Sequence, residues 1–152
     1  RRQRQMCIRD RHDIGKAIDR ATQHIHTLSL IREFWPETPF TAYELKIVEA
    51  LLKDDHLGNF FQGRYDCNTL QDEIKKDAEV LQIDASCLLQ LKMVLYQCDI
   101  APYTKDAGGL KYLEHMFLYE DNEKEFDEEN GLLAMSADYW GRYEQLKSLM
   151  RL

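Results

Sequence analysis

Apolar residues return at three- and four-residue steps along most of this chain, and no stretch alternates strictly between apolar and polar. The first spacing lines one face of an α-helix, and the second would line one face of a strand. The sequence therefore predicts an all-α fold. Three prolines in 152 residues leave long intervals for unbroken helices. A chain of this length is one ordinary domain with enough buried surface for a core.

About six helices follow from the spacing. Ile14, Ile18, Ala21, Ile25 and Leu28 mark one face of the first, which Gly15 lets bend or start late and Pro36 closes after Phe34 and Trp35. Thr41 and Glu44 form a capping box for the second, with Phe40 and Leu45 placed as a hydrophobic staple. Its stripe is Leu45, Val48 and Leu52, it stops before Gly58, and a loop covers residues 59–68. Asn68 with Gln71 opens a third helix whose inner face is Leu70, Ile74, Ala78 and Leu81. Asp84 or Ser86 caps a fourth. Leu88, Leu89, Leu91, Met93, Val94 and Leu95 leave that helix almost no polar face, which predicts a central position. Gly108 and Gly109 mark a turn before a fifth helix with Leu110, Leu113 and Phe117. The acidic residues 120–130 read as a solvated loop. The last helix begins near Ser136 and packs through Tyr139, Tyr143, Leu146 and Met150.

A formal net charge of −7 argues against a surface that coats nucleic acid. Residues 74–91 have the apolar spacing of a helix-turn-helix. The would-be reading helix, however, offers mainly Leu, Cys, Gln and Met, with Lys92 its one basic residue, too little for phosphate anchoring or base reading. No stretch reaches the apolar length of a membrane span and no signal-peptide pattern opens the chain. Cys7, Cys67, Cys87 and Cys98 form no CxxC pair, so they read as reduced thiols of a cytoplasmic protein, set with the methionines on core stripes. Residues 1–11, RRQRQMCIRDR, stand apart with five arginines. They read as a basic arm, but the string also resembles the translated read-through of a sequencing adapter. On that reading they are a non-native or disordered arm set aside from functional reasoning, and the domain is 12–152.

His12, Asp13, Ile14, Gly15 and Lys16 spell HDIGK. An adjacent imidazole and carboxylate offer one nitrogen and one oxygen to a divalent metal, and in a helical protein the other ligands come from other helices. A bare His-Asp pair is more often a surface turn with a capping aspartate. The five-residue run is more specific and resembles the motif of the HD superfamily of metal-dependent phosphohydrolases, in which a histidine, a His-Asp pair and a distant aspartate bind metal. Leu95, Tyr96, Gln97, Cys98 and Asp99 match the Leu-Tyr-x-x-Asp setting of the family's last aspartate. Residues 44–56, ELKIVEALLKDDH, resemble the helix that ends in an additional family histidine, here His56. His24 and His26 are further candidates. Two apart, they cannot face the same way on a helix, and His26 is the one favoured.

The resemblance covers residues 12–105 and implies an HD-type helical bundle. His12, Asp13 and Asp99 would hold one divalent metal, with His56 and His26 completing a second site or contacting phosphate. Manganese, iron, nickel, cobalt, zinc or magnesium suits such mixed ligands. Asp13 and Lys16 would be the catalytic pair, and Lys16 and Arg64 would bind the substrate's phosphate. The substrate would be a small phosphorylated molecule of nucleotide type, with no DNA or membrane partner. The family's first histidine lies upstream of HDIGK, and His12 is the first histidine here. The expectation is thus a chain lacking the family's first helix or helices, with reduced or absent catalysis. The alternative is a non-catalytic helical sensor or protein-interaction domain.

Overall fold

The computed structural model describes residues 14–19, 22–101, 115–120 and 123–150, excepting the side chain of Lys16. The chain is mostly helical, as the periodicity requires. It divides into two compact units that meet in sequence between Asp55 and His56.

The first unit contains a 3-10 turn, Ile14–Ala17, followed by α1 (Gln23–Phe34), a second 3-10 turn at Trp35–Glu37 and α2 (Ala42–Leu52). The expected single stripe through Ile14, Ile18, Ala21, Ile25 and Leu28 does not form. A break between the 3-10 turn and α1 resets the helical phase, so Ile18 and Ile25 are 59% and 57% exposed while Thr27 and Leu28 face inward; Ala21 lies outside the described residues. Gly15 explains the close approach of the two segments. Its N–H donates to Thr27 Oγ1 at 3.0 Å, and a Cβ at this position would lie 2.0 Å from the Gln23 carbonyl oxygen. Only glycine fits under that backbone.

The capping box of α2 is complete. Thr41 Oγ1 accepts from the Glu44 N–H at 3.2 Å, and Glu44 Oε2 accepts from the Thr41 N–H at 2.6 Å. Phe40 stacks on Trp35 with ring centroids 5.4 Å apart, and the Trp35 indole N–H donates to the Thr41 carbonyl at 3.0 Å. Arg32 of α1 and Glu49 of α2 join the two helices at 2.5 Å.

The second unit begins with a six-residue helix, α3 (His56–Phe61), where a helix end and loop were expected. Local spacing in so short a segment carries little signal. Burial of His56, Leu57, Gly58, Phe60 and Phe61 defines it instead. Arg142 closes its C-terminal end, donating to the carbonyls of Phe61 and Phe60 at 3.1 and 2.5 Å with its guanidinium 4.8 Å from the Phe60 ring centroid.

Helix α4 spans Cys67–Leu81 and is capped by Asp66, not Asn68. The Asp66 carboxylate accepts from the Thr69 N–H at 2.7 Å. Leu70, Ile74, Ala78 and Leu81 form its buried face as the spacing predicts. Gln82, in the left-handed region at φ 56°, ends it, and the Ile83 N–H reaches the Ala78 carbonyl at 3.1 Å. Asp84 then caps α5 (Ala85–Ile100). This helix is central but not apolar all round: Leu91 and Val94 are exposed, while Lys92 and Gln97 are buried among Leu88, Leu89, Met93 and Tyr96. Cys7 lies outside the described residues; Cys67 is half-buried and Cys87 and Cys98 are exposed, so these three free thiols are not core. The methionines Met93, Met116, Met135 and Met150 are.

Most of the expected fifth helix lies outside the described residues. Phe117 is extended and bridges Met135. The acidic stretch is not a plain loop. It forms two small antiparallel ribbons, β1 (Tyr119–Glu120) with β2 (Glu123–Lys124), and β3 (Phe126–Asp127) with β4 (Leu132–Leu133). Strands of two residues are too short to alternate visibly in sequence. Gln97 of α5 secures β4 by accepting from the Leu133 N–H at 2.6 Å and donating to its carbonyl at 3.1 Å. Helix α6, Ala137–Leu149, starts after Ser136 and buries Tyr143 and Leu146 as predicted. Phe61 joins α3 to α5 and α6, stacking on Tyr96 at 5.4 Å and tilting against Tyr139 at 5.9 Å. No helix among the described residues is long and apolar enough to cross a membrane.

Candidate functional site

Three ionisable side chains meet where α3, α4 and α5 pack together in the second unit. His56 is the first residue of α3, Asp77 lies in the buried stripe of α4, and Lys92 lies in that of α5. Their exposures are 2%, 9% and 5%, so all three are inside. His56 Nδ1 faces Asp77 Oδ2 at 3.9 Å, and Lys92 Nζ approaches the same oxygen at 3.6 Å. Both approaches are longer than a hydrogen bond, so the oxygen stands at ion-pair distance from the ammonium with the imidazole slightly farther away. Tyr65 adds a ring tilted against His56, with centroids 6.3 Å apart.

Local helix geometry puts both charges inside. Asp77 stands three residues after Ile74 and four before Leu81, and Lys92 stands four after Leu88 and three after Leu89. Both therefore fall on core faces. Burial of an isolated charge is costly, and each of the two offsets the other's charge. Lys92 is thus a cation within ion-pair distance of the Asp77 carboxylate.

Of the residues singled out from sequence, His12 and Asp13 lie outside the described residues, as does the side chain of Lys16. His26 is half-buried and His24 exposed on α1. Asp99 is half-buried in the last turn of α5. Arg64 is exposed, its guanidinium donating to Asn59 Oδ1 at 2.9 Å and Gln62 Oε1 at 2.8 Å. Two neutral acceptors thereby orient a cation that keeps its full charge. The expected ligands are drawn from both units, and within the second unit His56 is gathered with Asp77 and Lys92. Among the described residues, no group of three or more His, Cys, Asp or Glu is placed to hold a metal ion.

Asp77 and Lys92 were missed from sequence. The signal was present in the phase of the stripes: Leu70, Ile74, Asp77 and Leu81 form one 4-3-4 row, with a charge at its third place. No family model, no curated protein and no solved structure matches the chain.

Proposed function

We propose that the protein is a metal-dependent phosphohydrolase of HD type acting on a small phosphorylated molecule of nucleotide class. What supports the reading is an ordered set on a helical chain: HDIGK at residues 12–16, a buried His56 backed by Asp77, and Asp99 closing an apolar helix. His12, Asp13 and Asp99 would hold the metal, with His56 and His26 as further donors. A divalent metal bound there supplies Lewis acidity and a water of lowered pKa. The chain's own groups do the rest. Lys16 and Arg64 carry positive charge to phosphoryl oxygens, where charge develops during the reaction. With a net charge of −7 overall, such local cations are what draws an anionic substrate.

The test is an assay of nucleotides and bis(4-nitrophenyl) phosphate with manganese, cobalt, nickel, zinc and magnesium, alongside metal analysis of the purified protein. Stoichiometric metal is expected, and whatever hydrolysis this chain retains should fall at least 100-fold in Asp99→Ala (roughly 3 kcal/mol of transition-state stabilisation). No activity with any metal and no bound metal overturn the reading in favour of a non-catalytic helical domain.

A further inference from the structure

We propose that the exposed face of α5 is a two-fold interface, on which a second copy of this chain packs antiparallel through the same face. Cys87, Leu91, Val94 and Cys98 are all exposed and follow one another at steps of four, three and four. That is the repeat of about 3.5 residues with which one helix forms a seam against another, and it runs about 16 Å along α5. The exposed positions of α5 are these four and Gln90, and none of them is charged. The helix's two charged residues, Lys92 and Asp99, are buried and half-buried. By contrast α4, packed beside it in the same unit, exposes Asp72, Lys75, Lys76 and Glu79. A solvated helix face carries charges of that kind, whereas a neutral and apolar one marks a contact surface.

Symmetry and charge point to a second copy as the occupant. A two-fold axis passing between residues 92 and 93 exchanges position 87 with 98 and position 91 with 94. Thiol then meets thiol, and Leu91 meets Val94 of the other copy. The row has the same chemistry read in either direction, as an isologous contact requires of one surface. Each copy carries a net charge of −7, and this face lets two such chains meet without opposing like charges. Antiparallel packing also sets the positive end of one α5 dipole beside the negative end of the other. A charged partner finds no counter-charge on the seam. Four short side chains bury less than the roughly 800 Å² per partner of a stable interface, so the dimer is weak and forms at high concentration.

Disulfide trapping in the full chain tests this, with Cys7→Ser and Cys67→Ser throughout and diamide accepting the electrons of the thiol pair. Chains with Cys87→Ser and chains with Cys98→Ser are oxidised separately and as a mixture. A linked dimer is expected in the mixture and only traces in either chain alone. In the mixture Cys98 of one copy lies opposite Cys87 of the other, whereas like cysteines stand about 16 Å apart along the pair, beyond the roughly 7 Å that a disulfide spans. Val94→Glu, at a position 51% exposed, should abolish the link while helical circular dichroism is unchanged. Equal linking in either chain alone, or in the presence of Val94→Glu, overturns the two-fold seam. Sedimentation equilibrium of the unsubstituted chain needs no variant, and its average mass should rise with concentration. A chain that stays monomeric into the millimolar range overturns the proposal. So does slow alkylation of Cys87 and Cys98 at low concentration, which would mean that another part of the same chain lies on the face.

Discussion

A single oxygen, Asp77 Oδ2, is the point at which two helices and the start of a third are electrostatically joined. Removing one partner of a buried pair leaves the other's charge uncompensated and costs far more than the pair contributes. Asp77→Ala should therefore lower unfolding free energy in urea by about 3–5 kcal/mol, whereas the double replacement Asp77→Leu with Lys92→Met should restore most of it. Equal losses in the single and double variants would contradict this account. Tyr143 offers a second test at the same scale. Burial, reinforced by Glu144, pushes its phenol up to about 12 from 10.0. An unfolded chain ionises this group first, so stability is intact below pH 10.0 and falls as pH rises toward about 12. Tyr143→Phe should flatten that alkaline limb in urea melts followed across this range.

The starts of α4 and α5 are held by side-chain oxygens that carry charge. The Thr69 N–H bonds to Asp66, and the Ser86 hydroxyl, then its N–H, bond to Asp84; these contacts hold both carboxyls below the ordinary 3.8. Folded-state values below the unfolded one mean that the caps contribute fully above 3.8 and are lost as pH falls through the lowered values. Helical circular dichroism should then fade on acidification with an acid limb that becomes shallower in Asp66→Asn with Asp84→Asn. Asparagine keeps the cap acceptor without titrating. An unchanged acid limb would place the sensitivity elsewhere. The other ends of the helices are less regular. Gln82 takes the left-handed position that glycine commonly fills, which is why no glycine announces the end of α4. The ribbon β3–β4 is secured by Gln97, 36 residues away from Leu133.

Each of the two units is compact by itself, and Lys53, Asp54 and Asp55 between them in sequence are exposed. An Asp-specific endoprotease should cut at 54–55 and release a fragment beginning there that keeps its helical circular dichroism. The buried His56, Asp77 and Lys92 all lie on that C-terminal side. A fragment that loses its helical signal on cleavage would show that the second unit depends on the first. The charge of −7 belongs to the whole chain, while the cations of the proposed site, Lys16 and Arg64, are local exceptions to it.

Periodicity and capping chemistry act within one or two turns, so they were legible directly. The faces Leu70–Ile74–Ala78–Leu81 and Tyr143–Leu146, the Thr41–Glu44 box and the all-α class all came from neighbours in sequence. Ile18 and Ile25 misled because a phase break cannot be seen in spacing alone. His56 could be named from the resemblance of its helix, and Asp99 from its apolar setting. Asp77 and Lys92 could not be joined to His56 in the same way, because their pairing depends on how three helices turn toward each other. Sequence by itself determined which faces are apolar, since burying them is favourable in almost any packing. Only the tertiary structure decided that two charges on those faces would meet at one imidazole, because a charge is tolerated inside only where a partner is brought within a few ångströms.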